Sequence, residues 1–370
     1  VQDELHYCPF TYEDQQMTKS RTLRIAMTVG VTVALAACSS TATTAPTTAP
    51  VVTAPPVVTA APPTAAKVYT YADMVVGFIQ TGSESGWRAA NTSSFKETAT
   101  EKGLKLNFYD AQNKLENQIT AFHNFNQDKT VNVIILAALD VTGYDDVLKE
   151  AKTAGKVVVL EDRRINADAS LYYTYIGSDF DAEGQKVAAA MCDLLKGFPA
   201  DKHNVAEISG AVGASAAIDR AKGFREKIGD CGITIPDGLS QTGNWGVPES
   251  KAVMEAFLKK TKNIQGVFGH NDEEAIGAIQ AIKEAGLKPG KDIMVVGVDA
   301  TADGFKYLIT GELGADIECN PLLAPQVYEA ALKALNGDNS LPKWVPSQEG
   351  QFFASQGASA LTDILKTRKY

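Results

Sequence analysis

From residue 74 onward the chain alternates between short apolar runs and longer stretches whose apolar residues recur every three or four positions. Residues 74–80, 104–109, 131–137 and 157–160 read as strands, and 87–102, 115–127 and 144–154 as amphipathic helices between them. Nearly continuous apolar strands separated by helices predict a parallel sheet covered on both faces. The alternation restarts after residues 173–179, a candidate hinge. Helices are then predicted at 182–195, 218–228, 250–260, 273–285, 302–310 and 323–335. The second set of strands falls at 205–209, from 233–235 toward Ser240, and at 266–269, 293–298 and 315–318. Two successive sets of similar size predict two similar α/β lobes. Open α/β sheets bind ligands beyond the carboxyl ends of their strands, so the chemistry should lie just after each strand.

The N-terminal part follows other rules. Lys19, Arg21 and Arg24 precede an apolar run at 25–34 that is too short to span a bilayer comfortably, which predicts an export signal at 17–38. Leu35-Ala36-Ala37-Cys38 resembles the lipobox of bacterial lipoproteins, and the resemblance implies lipidation of Cys38 and cleavage before it. Residues 1–16 precede Met17 and read as a spurious upstream extension. Residues 39–66 are almost wholly Ser, Thr, Ala, Val and Pro, with Pro55-Pro56 and Pro62-Pro63. Such a composition cannot build a core and predicts an extended tether, at roughly 3.1 Å per residue where it is polyproline-like.

Composition narrows the function further. The 370 residues suffice for two domains with real cores, and a formal net charge of -9 without a long basic run argues against nucleic acid. Among the cysteines of the folded part, Cys192 and Cys231 fall in one predicted lobe. Export permits a disulfide between them, and buried free thiols are the open alternative. Four histidines and no ligand-like cysteine spacing give no metal site, and no Ser-His-Asp order suggests catalysis. Neither a cofactor nor an enzyme activity is expected.

The strand ends carry the candidate chemistry. Glu84, Trp87 and Arg88 follow the first strand in a glycine-rich turn, and Asp162 and Arg163 follow the fourth. In the second set, Arg220 lies just inside a helix after Gly210–Ser215, and Trp245, Asn271, Asp299 and Glu318 each sit at a strand end. Acids, amides and guanidinium groups grip hydroxyls, and indole faces cover C–H groups, so this mixture suits a sugar. Any one of these residues could be a helix cap or a solvated charge; a polar group after nearly every strand is hard to explain by capping alone.

These residues in this order resemble the type I periplasmic sugar-binding proteins of the ribose-binding class. The carriers are Gly213-Ala214-Ser215-Ala216-Ala217 with Arg220 and Gly223-Phe224, then Gly269-His270-Asn271-Asp272, then Val296-Gly297-Val298-Asp299. Gly82-Ser83-Glu84-Ser85-Gly86-Trp87-Arg88 and Lys114-Leu115-Glu116-Asn117-Gln118-Ile119 are similar to the galactofuranose-binding subgroup of ABC importers. The resemblance implies two three-layer α/β/α lobes joined by a three-segment hinge. Residues 67–178 plus about 319–346 would form one lobe, and 179–318 plus about 347–370 the other. It implies a monomer that closes on a monosaccharide and docks on a membrane permease. The ten strand-end residues above become the expected ligand contacts, with Trp87 and Trp245 sandwiching the ring. A hexose (galactose in furanose or pyranose form, or glucose) fits better than ribose, because Glu318-Cys319-Asn320 departs from the ribose pattern. The protein would be anchored on the outer face of the cytoplasmic membrane. A receptor of the same fold feeding chemotaxis is the alternative.

Overall fold

The computed structural model describes residues 67–199, 201 and 203–370; the expected export signal, Cys38 and most of the tether lie outside them. The first lobe begins β1 (Val75–Gln80), α1 (Gly86–Lys102), β2 (Lys105–Asp110), α2 (Leu115–Gln127), β3 (Val133–Leu136), α3 (Asp145–Thr153), β4 (Val157–Glu161) and β5 (Thr174–Gly177). The second lobe continues with α4 (Phe180–Leu195), β6 (Val205–Ser209), α5 (Ser215–Lys227), β7 (Ser240–Thr242), α6 (Val247–Lys260) and β8 (Gly266–Gly269). It proceeds through α7 (Asp272–Glu284), β9 (Met294–Asp299), α8 (Ala302–Thr310) and β10 (Ala315–Glu318). Then come α9 (Ala324–Leu335), β11 (Trp344–Pro346), β12 (Gln351–Phe353) and α10 (Ala358–Thr367).

The two six-stranded sheets share one winding: β11-β5-β4-β3-β1-β2 and β12-β10-β9-β8-β6-β7. Every pairing is parallel except β12 against β10. The central strands β3 and β8 are buried along their whole length because helices cover both faces. Each sheet therefore carries two apolar layers, one per face. Helix α9 returns to the first lobe, where Tyr328 meets Phe95 of α1 edge-on at 5.5 Å, and α10 packs on α8 in the second.

The chain crosses between the sheets after β5, after β10 and between β11 and β12. Ser178, Cys319 and Glu349 from the three crossings meet: Ser178 Oγ lies 3.3 Å from Cys319 Sγ and bonds Glu349 Oε1. Glu349 also accepts from the Asn320 N–H at 3.3 Å. In the second lobe Cys192 of α4 is disulfide-bonded to Cys231, with Cα atoms 5.8 Å apart, so the bond ties α4 to the turn that follows α5.

Three expectations change. The run at 233–235 contributes only an isolated bridge, Thr234 to Asn204, and the paired strand is β7. Pro236 has no N–H to give, and the chain turns there, Leu239 N–H donating to Pro236 O at 3.0 Å. Most of the candidate hinge 173–179 is strand β5, and the crossing itself narrows to Ser178 and Asp179. Strands β11 and β12 and helix α10 are additional: three-residue edge strands leave too short an alternation to read.

Candidate ligand-binding site between the two sheets

Local rules aim the side chains at the cleft. Ser85 caps α1 by accepting from Arg88 N–H at 3.1 Å, which starts the helix just past β1 and leaves Trp87 and Arg88 on its first turn. Asn271 caps α7 in the same way, accepting from Glu274 N–H at 2.9 Å. Asp162, Trp245 and Asp299 have φ of 57°, 65° and 115°, uncommon conformations that cluster where a scaffold holds side chains against a ligand. Trp245 lies so close to Gly210 that a Cβ there would fall 2.0 Å from the ring, which requires glycine.

The resulting cavity lies between the carboxyl ends of both sheets. Glu84, Trp87, Arg88, Asp162 and Arg163 line it from the first lobe. Arg220, Trp245, Asn271 and Asp299 line it from the second. Nine of the ten residues expected from the sequence thus converge on one place. Ser85, Ala216 and Cys319 complete the wall; Cys319 carries no polar pattern by which it could be found, and its place follows from the second crossing.

Glu318 is the exception. Its carboxylate accepts from Arg368 Nη2 at 2.6 Å, Tyr370 Oη at 2.5 Å and Gly350 N–H at 2.6 Å, so it fastens the C-terminal segment to β10. Side chains alternate along a strand, and Glu318 shares the side of Asp316 rather than turning into the cleft.

The first-lobe wall is a buried lattice of charges. Arg88 Nη2 bonds Asp162 Oδ2 at 2.5 Å, and Arg163 Nη2 bonds Glu84 Oε1 at 3.2 Å. Burial alone would raise the Glu84 carboxyl; Arg88 and Arg163 hold it below its usual value. The lattice is incompletely hydrogen-bonded: Nε and Nη1 of both Arg88 and Arg163 are buried without a hydrogen-bond partner, as is Trp245 Nε1, although Arg88 Nε lies 3.5 Å from Glu84 Oε1 and Arg163 Nε 3.7 Å from Asp162 Oδ2. Arg88 also lies over the Trp87 ring at 4.6 Å and Arg163 over Trp245 at 5.5 Å. Trp87 offers only its face, because its Nε1–H already donates to Cys319 O at 2.6 Å.

In the second lobe Arg220 is held from behind by Glu183, Nε to Oε2 at 2.6 Å, and by His270 O at 2.7 Å. Its Nη2 is 3.6 Å from Asp299 Oδ1. Burial drives the Asp299 carboxyl well above its usual range, and Arg220 offsets only part of that. Asp299 is thus the acid of the cavity that most needs a donor. Glu183 is not singled out by the sequence; it sits in the first turn of α4, where an acid is favoured by the helix itself and so carries no sign of a partner.

Glu183, Cys319 and Glu349 lie within 4.8 Å of one another and together have donors for a cation. Glu183 Oε2 is committed to Arg220 and Glu349 Oε1 to the hinge serines, so the trio serves as a hinge fastening.

The lobes are closed on each other. Gly86 N–H donates to Glu273 Oε1 at 2.7 Å, Val141 N–H to Gly213 O at 3.1 Å, and Arg164 to Asp219. Two wound sheets, three crossings and a polar cavity between the strand ends define a two-lobed binding protein whose ligand is enclosed by both halves.

The chain belongs to the periplasmic binding protein family: the family's domain model matches residues 76–339. It is 44% identical over 276 residues to the galactofuranose-binding protein YtfQ of Escherichia coli K12, covering 74% of this chain and 85% of that one. It is 32% identical to the fructose import binding protein FruE of Bifidobacterium longum, over 80% and 88% of the two chains. A crystal structure of a galactofuranose-binding protein superposes with a TM-score of 0.74 at 41% identity, over 80% of this chain and 98% of that one. The arabinose-transporter binding protein of Shewanella sp. ANA-3, bound to L-arabinofuranose, superposes at 0.73 with 40% identity, over 80% and 99%.

Proposed function

We propose that this protein is the extracytoplasmic binding component of an ABC sugar importer, and that it closes on a single monosaccharide. A hexose is the ligand class, galactose in furanose or pyranose form or glucose. The observation that carries the reading is the set of buried N–H donors without hydrogen-bond partners on Arg88, Arg163 and Trp245, in one cavity with the acids Asp162 and Asp299. A sugar hydroxyl both donates and accepts, so a ring of hydroxyls can satisfy guanidinium groups and carboxylates together. The faces of Trp87 and Trp245 would cover its C–H groups. Relatives that bind galactofuranose and arabinofuranose favour a furanose form.

Within this reading Arg88, Arg163 and Arg220 donate to ring and hydroxyl oxygens, Asp162 and Asp299 accept, and Glu84 and Asn271 orient their neighbours. The sugar contacts both lobes and so shifts the population toward the closed form, which a membrane permease receives. The protein acts as a monomer, held at the outer face of the cytoplasmic membrane by lipid on Cys38 and spaced from it by residues 39–66. Mass spectrometry of the membrane-extracted protein tests the anchor: a diacylglyceryl adduct on Cys38 is expected, and an unmodified thiol would exclude it.

The test of the ligand is calorimetry with D-galactose, D-glucose, D-fructose and L-arabinose, supported by thermal shift. A ligand that binds only the folded state raises the melting temperature. One hexose should bind tightly without being converted. If none of the four binds, the sugar reading falls.

A further inference from the structure

Asp299 stands on a turn that its own residues do not favour. It ends β9 with φ of 115°, and Ala300 follows in the left-handed region at 55°. Neither is glycine, so the surroundings must hold the backbone in place. Asp299 O accepts from Cys319 N–H at 3.5 Å, Ala300 N–H donates to Asp316 Oδ1 at 3.0 Å, and Thr301 N–H donates to Asp272 Oδ2 at 2.7 Å. Two further groups are taken by the segment that follows α10. Ala300 O accepts from Arg368 Nε, and Ala302 N–H donates to Tyr370 O at 2.8 Å. Among the described residues no other donor reaches Ala300 O.

Arg368 is itself firmly anchored. Its side chain is buried, and the guanidinium lies over the rings of Phe305, Phe352 and Tyr370 at 4.8, 4.9 and 4.6 Å. Its Nη2 donates to Glu318 Oε1 at 2.6 Å, and Tyr370 Oη donates to the same oxygen at 2.5 Å. Glu318 directly precedes Cys319 of the second crossing, and its other oxygen accepts from Gly350 N–H of the third. A planar guanidinium can give Nε to a carbonyl and Nη2 to a carboxylate at the same time. One buried cation thus ties the Asp299 turn to two hinge crossings from a position 68 residues beyond Ala300.

We propose that Arg368 is a positioning residue for the ligand acid Asp299, acting through the turn that carries it. Arg368 does not line the cavity; it holds Ala300 O and so fixes the backbone from which the Asp299 carboxylate projects. The inference rests on the sugar reading above, because Asp299 is a ligand acceptor only within it. Without this hold the turn relaxes toward more ordinary φ values and the carboxylate leaves its place. Affinity then falls although every residue of the cavity wall is still present.

Calorimetry with the full chain tests this. The probes are D-galactose, D-glucose, D-fructose and L-arabinose, and the one that binds the wild type most tightly is carried forward. Arg368→Met keeps an apolar side chain among the three rings and removes every donor, so it should weaken that sugar about tenfold. Arg368→Lys keeps a charge beside Glu318, but one ammonium cannot serve both acceptors as the fork does, and a loss of about threefold is expected. A double-mutant cycle separates positioning from a general loss of stability. In an Asp299→Asn background, which keeps one acceptor oxygen, most of either loss should disappear. In an Asp162→Asn background, on the opposite wall, it should persist in full. Melting without sugar shows which variants are folded at the assay temperature, and Arg368→Lys decides the matter if Arg368→Met is not. Wild-type affinity in the folded variants, or equal losses in all three backgrounds, would overturn the proposal and leave the sugar reading standing. A wild type that binds none of the four sugars overturns the sugar reading and this one with it.

Discussion

Arg164 and Asp219 join the two lobes through parallel hydrogen bonds, Nε to Oδ2 at 2.7 Å and Nη2 to Oδ1 at 2.6 Å. Neither residue lines the ligand cavity, yet the pair exists only when the lobes approach. The paired, bidentate geometry is the strong form of an ion pair, but Arg164 is 36% exposed and solvent weakens the gain to about 1 kcal/mol. Asp219→Asn keeps the shape and removes the charge. It should lower affinity about fivefold, chiefly through faster ligand release, because the closed form loses stability while every ligand contact remains. Stopped-flow tryptophan fluorescence would read the release rate, since two of the three tryptophans in the chain border the cavity. An unchanged release rate would show that the pair is incidental to closure.

A cavity acid behaves differently. Asp299 faces Arg220, and Asp162 holds Arg88. Asp162→Ala takes the nearest carboxylate from the buried Arg88, Asp299→Ala takes one of two from Arg220, which Glu183 still holds, and each leaves the ligand without an acceptor. The cost is about 2–4 kcal/mol, an affinity loss of roughly 30-fold or more. Calorimetry on Asp162→Ala and Asp299→Ala measures this directly. Affinity unchanged in both variants would remove these residues from the site.

The disulfide should be separable from function. Cys192 and Cys231 are 39 residues apart and lie outside the cavity wall. Closing a loop of that size stabilises a fold by about 4 kcal/mol in the chain-entropy account. The Cys192→Ser, Cys231→Ser double variant should therefore melt several degrees lower and still bind its sugar with wild-type affinity. Weakened binding at a temperature where the variant is fully folded would show that the bond also positions α5 and its Arg220.

Why nine of the ten strand-end residues converge is a matter of topology. In parallel sheets every strand points the same way, so residues following different strands arrive at one edge of the layer, and two such edges face each other here. Periodicity alone therefore located Asp162, Asn271 and Asp299. It could not separate Glu318 from Cys319, because one residue of phase decides which side chain enters the cleft. Nor could it find Glu183 or the Arg164–Asp219 pair, which depend on how α4 crosses α5 and on how the lobes close. Strand β7 was displaced from its expected place by Pro236, where a residue without an N–H turns the chain before pairing begins.

Glu273 gives closure a dependence on pH. In the closed form burial and the adjacent Asp272 charge push its carboxyl up to about 7 from an ordinary 4.5, against the opposing pull of Gly86 N–H. Asp272 precedes Glu273 in α7 in either form, so only the burial added by the first lobe is gained on closing, and that part makes the closed form hold the proton more tightly than the open form does. The contribution to closure is thus fully present at pH below the open-form value, is lost as pH rises through about 7, and is constant above that. The full shift corresponds to roughly 3 kcal/mol; residual solvent access reduces the expected change to about 1–2 kcal/mol, or about tenfold in affinity. Glu273→Gln keeps an acceptor for Gly86 and cannot ionise, though it weakens the bond from Asn271 Nδ2, which meets the carboxylate at 2.8 Å. That loss is independent of pH, so the informative quantity is a slope. The ratio of variant to wild-type affinity should climb about tenfold between pH 5 and pH 8. The Glu273 charge also helps to raise the carboxyls of Asp299 and Glu274, so the slope reports that acidic cluster together, and only the acids outside it cancel in the ratio. Calorimetry at matched ionic strength provides the profile, and a flat ratio would mean that Glu273 stays ionised in both open and closed forms.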